Sequence, residues 1–356
     1  MKIITVVGAR PQFIKAAVVS RQLREYADEI LVHTGQHYDY NMSDVFFEQL
    51  NIPHPDYNLG ISGGTHGQMT GRMLEAIEAV LIEENPDKVL VYGDTNSTLA
   101  AALAAVKLHI PVSHIEAGNR LHNLRNPEEV NRICTDHVSE KLFACTQSAM
   151  DFLKNEGLTN RAILVGDPML DAFSYYSQII PDTDSISLYT LDEENVKIPT
   201  DYYYMTCHRQ ENTDTDENLD AILSAMESLD APTVYPVHPR NERRAKSICD
   251  NKNYHNIILI KPVGYLESIA LVIHSRKIVT DSGGLQREAF FANKQCVTVF
   301  NSVIWPETMV GNRNQLARPN KNDILEKLNK QQYIDSEYRP FGDGHSAEKI
   351  CSELTK

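Results

Sequence analysis

The chain has 356 residues, which is more than one hydrophobic core usually serves, so its length predicts two domains. Hydrophobic residues make up 42% and charged residues 23% of it, as in globular proteins rather than disordered or fibrous ones. The net charge of −14 and the pI near 5.4 argue against general nucleic-acid or membrane binding, because both require a basic surface. An anionic small molecule in a locally basic pocket is compatible with this charge.

The sequence shows no targeting or membrane signal. It starts with the strand-like run Lys2–Val7 instead of a basic and apolar leader, and it contains no apolar stretch of about 18 residues. Its six cysteines are scattered without a C-x-x-C pair, which predicts reduced thiols rather than a disulfide framework or a zinc site. We therefore expect a cytoplasmic protein.

Short apolar or β-branched runs alternate with amphipathic helical patterns in the first half of the chain. The predicted strands are Ile3–Val7, Glu29–His33, Lys88–Tyr92, Val112–Ile115, Leu142–Ala144 and Ala162–Val165. The predicted helices are Pro11–Tyr26, Ser43–Leu50, His66–Glu84, Ser97–Leu108, Pro127–Val138 and Ser148–Glu156. This alternation indicates βαβ crossovers and a mostly parallel, doubly wound sheet.

The second half repeats the pattern. Its predicted strands are Tyr202–Thr206, Thr233–Pro236, Ile257–Ile260, Lys277–Thr280 and Gln295–Val299. From roughly Ile180 to Thr200 the periodicity weakens, so we place the connection between domains there or just before it. The predicted class is α/β with two doubly wound sheets, and a ligand is expected in the cleft where strand ends from both domains meet.

The first predicted strand leads into a turn and a helix start that favour anions. Gly8 permits a close backbone approach, and Pro11 suits a first helical turn. Arg10 and Lys15 lie near this helix N-terminus, so they form either a phosphate or carboxylate clamp or simply two solvated basic residues. The absence of G-x-G-x-x-G and Walker lysine patterns disfavours dinucleotide binding and P-loop hydrolysis.

Three acidic residues follow strand or helix boundaries in the first half. Asp94 comes directly after one strand, Glu116 ends the next, and Glu128 begins a helix that also carries Arg132. Each acid alone is explained by helix capping. Together, on one face, they could supply a base, an acid and an orienting carboxylate.

Histidines occupy the corresponding places in the second half. His208 and Arg209 follow one strand, and His238 follows the next. Each histidine is either a functional group or a hydrogen-bonded loop residue. We expect no metal site, because no histidine pair has helical spacing together with a carboxylate.

The most specific segment runs from Thr280 to Glu288. A strand ends there in Ser282-Gly283-Gly284, whose backbone amides can cradle a pyrophosphate at the start of the next helix. Glu288 follows on that helix within reach of a ribose diol. Ser-Gly-Gly alone is common in loops, but this position after a strand, with an acid at that offset, indicates a nucleotide site.

Taken together, the motifs resemble the non-hydrolysing UDP-N-acetylglucosamine 2-epimerase family along nearly the whole chain. The matching segments begin at Gly8, Gly93, His114, Pro127, His208, Pro236, Asp281 and Gly342. The resemblance implies two Rossmann-like domains in the GT-B arrangement, residues 1–170 with a C-terminal helix at about 342–356, and residues 171–341. It also implies an inter-domain cleft that binds a nucleotide sugar, and a homodimer.

The resemblance further implies a mechanism without metal or nicotinamide cofactor. A base removes the proton at C2 of the sugar while UDP leaves C1, and UDP adds back to the resulting 2-acetamidoglucal after protonation on the other face. By this resemblance the catalytic residues are Asp94, Glu116, Glu128 and His208. The residues that it assigns to substrate and UDP are Arg10, Lys15, Arg132, Arg209, His238, Ser282, Gly283, Gly284 and Glu288.

The sequence departs from the family pattern in two segments. The loop Phe300–Glu307 replaces the usual arginine and Thr-Glu pair with apolar residues, and Gly35–Tyr40 keeps one glutamine but lacks the rest of an activator-site pattern. The Arg-Pro-Gln-Phe start, which includes Gln12, is similar to members that act on UDP-2,3-diacetamido-2,3-dideoxyglucuronate.

These features leave several functions to compare. The leading hypothesis is an epimerase that makes UDP-N-acetylmannosamine for a surface polysaccharide, and the first alternative is the diacetamidoglucuronate 2-epimerase. A GT-B glycosyltransferase would share the architecture but would have less use for three acids around C2. An inactive binding or regulatory relative is the remaining alternative.

Overall fold

A computed structural model describes residues 1–36, 50–180 and 186–356. Three segments that the sequence analysis singled out fall wholly or partly outside the described residues. They are the predicted helix from Ser43, the second part of Gly35–Tyr40, and the charged run Pro181–Ser185.

Helices and strands alternate along both halves, which confirms the predicted α/β class. The α-helices are α1 Arg10–Leu23, α2 His66–Glu84, α3 Asn96–Lys107, α4 Pro127–Val138, α5 Gln147–Asn155, α6 Pro168–Tyr176, α7 Gln210–Thr213, α8 Asp216–Glu227, α9 Glu242–Lys252, α10 Tyr265–His274, α11 Gly283–Phe291, α12 Lys321–Leu328 and α13 Ser346–Leu354. Among the described residues, none of these helices is both long and apolar enough to cross a lipid bilayer.

The chain divides into two compact units. Unit 1 comprises Met1–Ser174 together with Arg339–Lys356, and unit 2 comprises Tyr175–Tyr338. The last helix, α13, therefore belongs to the same unit as the first strand. It is held there because the Ala347 backbone N–H donates to Asp171 Oδ2 at 2.8 Å.

The sheet of unit 1 is parallel, with the order β3-β2-β1-β4-β5-β6-β7. Its strands are β1 Lys2–Val7, β2 Asp28–His33, β3 Tyr57–Asn58, β4 Lys88–Tyr92, β5 Val112–Ala117, β6 Lys141–Ala144 and β7 Ala162–Leu164. Both faces carry helices, so the central strands β1 and β4 are buried along nearly their whole length rather than at alternate positions.

Unit 2 holds a second parallel sheet, with the order β12-β11-β10-β13-β14-β15. Its strands are β10 Tyr203–Thr206, β11 Thr233–Pro236, β12 Ile257–Ile260, β13 Lys277–Thr280, β14 Gln295–Val299 and β15 Asn314–Ala317. A small antiparallel pair, β8 Leu188–Tyr189 and β9 Asn195–Val196, precedes it. Both sheets reverse their strand order at one central pair of strands, the Rossmann arrangement that the sequence predicted.

Some elements were missed by the sequence analysis. Strands β3 and β15 are short or only half-buried, so their apolar pattern is weak, and pairing with β2 and β14 creates them. Helix α6 begins just after Gly166 and Asp167, beyond the last strand predicted in the first half of the chain, and no helix was predicted there.

Gly166 provides a direct test of the packing between α6 and the returning C-terminal segment. Its φ is +92°, and an added Cβ would lie 2.7 Å from Ser346 Oγ and 2.9 Å from the Phe341 carbonyl oxygen. We expect Gly166→Ala to lower the free energy of unfolding by roughly 2–4 kcal/mol, because backbone strain and a backbone clash add.

The matched control is Gly157→Ala. Gly157 has a φ of +76° but nothing within 4 Å of the added Cβ, so it should lose only about 1 kcal/mol. Urea unfolding of both variants measures the difference. Equal losses would show that the crowding at Gly166 has no energetic consequence.

Candidate active site

The turn after β1 is tied to the end of β4 by one side chain. Gln12 Oε1 accepts the backbone N–H groups of Gly8 at 2.8 Å and Ala9 at 3.0 Å. Its Nε2 donates to the Tyr92 carbonyl oxygen at 2.6 Å. These bonds place Arg10, at the start of α1, beside the point where the strand order reverses. Both the oxygen and the nitrogen of the Gln12 side-chain amide are therefore hydrogen-bonded within unit 1.

Glu116 is held in an unusual backbone conformation at the end of β5. Its φ is +72°, and a bulge occurs here because Ile115 pairs with Phe143 while Ala117 pairs with Ala144. A residue with a Cβ in this region costs about 1–3 kcal/mol, and such strain is concentrated at functional sites. The Glu116 carboxylate is buried against the equally buried ammonium of Lys15.

Asp94 is held from the neighbouring helix α4. Arg132 Nη2 donates to Asp94 Oδ2, and Asn131 Nδ2 donates to the Asp94 carbonyl oxygen at 2.9 Å. Arg132 Nη1 also lies 3.1 Å from Glu129 Oε2. One helix therefore fixes both the side chain and the backbone of the loop after β4.

These contacts bring together Asp94, Glu116, Glu129, Lys15 and Arg132, which we call the acid cluster. Burial by itself would lower the pKa of Arg132, but the negative charges of Asp94, Glu116 and Glu129 outweigh burial and raise it. Three carboxylates face two permanent cations, so the cluster carries one net negative charge when all are ionised. Its carboxylates can therefore accept a proton, and its cations can oppose the charge of an anion.

Glu129 occupies the buried position that the sequence analysis did not assign. Its Oε1 accepts the backbone N–H groups of Leu121 at 2.9 Å and His122 at 2.8 Å. Glu128 is exposed at the helix start, where its own N–H donates to Asn126 Oδ1 at 2.9 Å. Within unit 1 the structure thus brings Glu129, rather than Glu128, into the acid cluster. Glu128 and Glu129 stand four and three residues before Arg132, and both spacings are helical, so spacing alone does not distinguish them.

A second set of polar atoms lies beside Glu116. The ligand atoms of Glu116, Cys145 and Asp167 are within 4.8 Å of one another, and all three residues are buried. Two carboxylates and a thiol are chemically able to bind a metal ion. The Glu116 carboxylate is already paired with the ammonium of Lys15.

In unit 2, Asp281 is the centre of the corresponding edge. Its carboxylate accepts the backbone N–H of His208 at 2.9 Å and of Arg209 at 2.8 Å, and it lies 2.9 Å from His208 Nδ1. Asn212 Nδ2 adds a bond of 3.2 Å. One carboxylate after β13 thus sets the position of the whole turn after β10.

The chemistry of Asp281 follows from these bonds. Burial by itself would raise its pKa, but the imidazole of His208 and the two backbone N–H groups outweigh burial and lower the pKa to about 2. The ionised carboxylate lies beside the half-exposed His208 ring and fixes its position. The sequence analysis named the segment around Asp281 but gave this residue no role.

The remaining predicted residues of unit 2 lie around the same turn. The rings of His208 and His238 stack with centroids 6.4 Å apart. Ser282 Oγ caps α11 by accepting the Leu285 N–H at 3.3 Å, and Gly283 and Gly284 follow at the helix N-terminus. Their half-buried backbone and the helix dipole favour an anion.

The apolar loop after β14 contacts two arginines. The Arg209 guanidinium lies 4.0 Å from the ring centroid of Phe300, and that of Arg287 lies 4.1 Å from Trp305. Aromatic rings attract cations, so the rings of Phe300 and Trp305 help to orient the two arginines. Glu288 is buried on α11, and with burial its charge raises the pKa of neighbouring Tyr265.

Comparison with known proteins agrees with this arrangement. The family model described as UDP-N-acetylglucosamine 2-epimerase matches residues 21–355. A Methanococcus maripaludis protein named UDP-N-acetylglucosamine 2-epimerase homolog is 46% identical over 358 residues, covering 99% of each chain. The UDP-2,3-diacetamido-2,3-dideoxy-D-glucuronate 2-epimerase of Pseudomonas aeruginosa is also 46% identical, over 370 residues and 100% of each chain.

A solved structure is similar over the same length. The chain resembles Methanocaldococcus jannaschii UDP-GlcNAc 2-epimerase, crystallised with UDP-GlcNAc and UDP, with a TM-score of 0.86 and 37% identity. The similarity covers 100% of this chain and 99% of that one. It supports two Rossmann-like domains in this chain.

The low pKa of Asp281 predicts a pH-dependent contribution to stability. Because the folded pKa of about 2 lies below the ordinary 3.8, the contribution is present above about pH 5 and is lost as the pH falls toward 2. It amounts to about 2 kcal/mol in the wild type. We expect Asp281→Asn to be less stable at pH 7 and to lack this part of the acid dependence. Urea unfolding at several pH values tests it, and parallel pH curves for both proteins would contradict it.

Proposed function

The chain belongs to the UDP-N-acetylglucosamine 2-epimerase family, and on that premise we propose that it interconverts UDP-N-acetylglucosamine and UDP-N-acetylmannosamine. It is an isomerase of nucleotide sugars. The observation that carries the proposal is the acid cluster, in which buried carboxylates and cations meet at the carboxyl edge of one sheet.

The acid cluster supplies the groups that such a reaction requires. A carboxylate takes the C2 proton, the C1–oxygen bond to UDP breaks, and a C1–C2 double bond forms as 2-acetamidoglucal. In the return step a carboxylic acid protonates C2 from the opposite face, and UDP adds back to C1. We assign this proton chemistry to Asp94 and Glu116 of the acid cluster and to Glu128, which lies outside the cluster at the exposed start of α4. The fixed positions of Asp94 and Glu116 matter because the C2 proton is only weakly acidic.

Basic side chains stabilise the leaving diphosphate in this proposal. Lys15 of the acid cluster and Arg10 both lie on α1, and His208, which Asp281 holds in position after β10, is the third side chain assigned to this role. Charge that develops on the departing oxygen is stabilised most by groups already in place. In the same proposal Arg132 keeps Asp94 oriented, and Glu128 acts from the exposed start of α4.

The nucleotide contacts are assigned to unit 2. The N-terminus of α11, with Ser282, Gly283 and Gly284, suits a diphosphate because backbone N–H groups and the helix dipole point at it. Arg209 and His238 lie at the ends of neighbouring strands. Glu288 is assigned to the ribose hydroxyls, where a buried carboxylate accepts two hydrogen bonds.

A second substrate is favoured by one specific observation. The diacetamidoglucuronate epimerase of Pseudomonas aeruginosa is 46% identical over the full length of the chain. Gln12, the sequence signal for that substrate, does not support it here, because its amide is hydrogen-bonded to the backbone of the turn after β1 and of Tyr92. UDP-N-acetylglucosamine therefore remains the leading substrate in this proposal.

We also place the enzyme in the cytoplasm, as a homodimer, in the supply of a sugar for surface polysaccharide. The cysteines among the described residues are free thiols, which suits a reducing compartment. The dimer and the polysaccharide role rest on the resemblance to the family alone.

The reaction is tested by proton exchange at C2. Incubated with UDP-N-acetylglucosamine in deuterated water, the wild type should incorporate deuterium at C2 and form the epimer, as measured by NMR. Asp94→Asn and Glu116→Gln should lower the turnover rate by about 10²–10⁴, because each removes a proton-transfer or orienting carboxylate. UDP affinity should change by no more than about threefold, since we assign UDP to other residues.

Glu29→Gln is the matched control. Glu29 is a buried carboxylate of the same unit that accepts bonds from Thr5 at 2.6 Å and Ser20 at 2.8 Å, at the opposite edge of the sheet. It should lose stability without a specific loss of turnover. Absence of exchange in the wild type with either sugar would refute the epimerase, and transfer of the sugar to an added acceptor would support a glycosyltransferase instead.

The choice of substrate is tested by comparing both sugars directly. We expect kcat/KM for UDP-N-acetylglucosamine to exceed that for UDP-2,3-diacetamido-2,3-dideoxyglucuronate by at least about tenfold, because the amide of Gln12, the sequence signal for the second sugar, is already bonded within the turn after β1. The measurement is the initial rate of C2 exchange for each sugar at equal concentration. The reverse preference would make the diacetamido sugar the substrate, while the proposed C2 epimerisation would stand.

A further inference from the structure

His114 lies on β5, two residues before Glu116 of the acid cluster, and forms two buried hydrogen bonds. Its Nε2 lies 2.7 Å from the carbonyl oxygen of Gly93, and its Nδ1 lies 2.7 Å from Asp136 Oδ1. The His114 and Asp136 side chains have no solvent exposure. A carbonyl oxygen can only accept, so Nε2 must donate to Gly93, the residue directly before Asp94.

Asp136 distributes its two oxygens between separate parts of unit 1. Oδ1 faces His114, while Oδ2 accepts the backbone N–H of Gly118 at 3.0 Å and lies 2.7 Å from Arg120 Nη2. Gly118 follows Glu116 by two residues. One carboxylate on α4 is therefore bonded, directly or through one imidazole, to the two loops that carry Asp94 and Glu116.

The charges in this network are arranged to keep Asp136 ionised. Burial by itself would raise the pKa of Asp136, but His114 and Arg120 outweigh burial and lower it. An ionised carboxylate can only accept, so the Asp136 oxygens take hydrogen bonds from His114 Nδ1 and from Arg120. Arg120 is also paired with Glu156 at 2.7 Å, so its guanidinium bridges two carboxylates. Such charge-assisted bonds hold geometry more firmly than neutral ones.

The backbone at these loops needs such support. Glu116 has a φ of +72° and Gly118 a φ of +87°, and a Cβ on Gly118 would lie 2.5 Å from the Ala149 carbonyl oxygen. A strained conformation persists only when its surroundings enforce it. The N–H of Gly118 is fixed to Asp136 at the end of this strained stretch.

We propose that His114, Asp136 and Arg120 form a positioning clamp that holds the loops of Asp94 and Glu116 in their reactive geometry. The proposal rests on the function proposed above for that cluster. The clamp residues do not touch the substrate in this proposal. They act through the backbone of Gly93 and Gly118.

The clamp predicts specific kinetic effects. Asp136→Asn should lower kcat by about 10–100-fold with KM and UDP affinity changed by no more than about twofold, because a misplacement of about 1 Å costs that much in rate. His114→Gln keeps a donor for the Gly93 carbonyl, whereas His114→Leu keeps none. The Gln variant should therefore retain at least about tenfold more kcat than the Leu variant.

Amide hydrogen exchange followed by mass spectrometry measures how firmly the clamp holds the two loops, and it requires no turnover. In Asp136→Asn the amides of segments 93–95 and 116–120 should exchange faster, with little change in segments of unit 2. Glu29→Gln again serves as control, because it weakens a buried network of the same unit at the far edge of the sheet. It should leave exchange in both loops and kcat unchanged.

The outcomes separate this inference from the proposed function. If the wild type fails to exchange C2 protons, the epimerase proposal fails, and the amide exchange still decides whether the clamp holds the loops. Unchanged amide exchange in Asp136→Asn would overturn the clamp. Faster amide exchange with a kcat no lower than that of Glu29→Gln would overturn its role in positioning the reactive groups.

Discussion

Each unit depends on the reversal of strand order in a parallel sheet. At β1 and β4 in unit 1, and at β10 and β13 in unit 2, the following segments run to opposite faces of the sheet and leave an opening at its carboxyl edge. Polar side chains can enter this opening without disrupting the core. The acid cluster and the turn around Asp281 both lie at these positions. The order of the strands therefore determines where each unit can hold buried charged side chains.

The two units use the same device to hold their loops. In unit 1 a buried Asp136 pairs with His114 and accepts a backbone N–H, and in unit 2 a buried Asp281 pairs with His208 and accepts two. A buried carboxylate with several donors is stable only when all of them are in place. Each aspartate therefore joins segments that are far apart in the sequence. Its removal should also disturb side chains on those segments that it does not contact.

The acidic composition of the protein and its proposed anionic substrate are reconciled by local charge. The net charge is −14, yet Lys15 and Arg132 lie buried among the carboxylates, and helix N-termini face the same edges. Interactions between buried groups are screened little, while the surface charges are screened by salt within about 8–10 Å. In the proposed function Lys15, Arg132 and the helix N-termini therefore stabilise an anion through their positions, although the acid cluster as a whole carries one net negative charge.

The sequence by itself determined the class of the fold, most strands and helices, and the segments that carry polar side chains. Those features follow from local periodicity and from residues next to one another, such as Gly8 with Arg10 or Ser282 with Gly283. The tertiary structure alone decided that Glu129 rather than Glu128 is buried, and that Asp136 and Asp281 organise their loops. The partners of Asp136 and Asp281 are 16 to 73 residues away in the chain, and no local pattern records such contacts. Packing of the strands brings those partners within hydrogen-bonding distance, which is why side-chain roles emerged only from the folded chain.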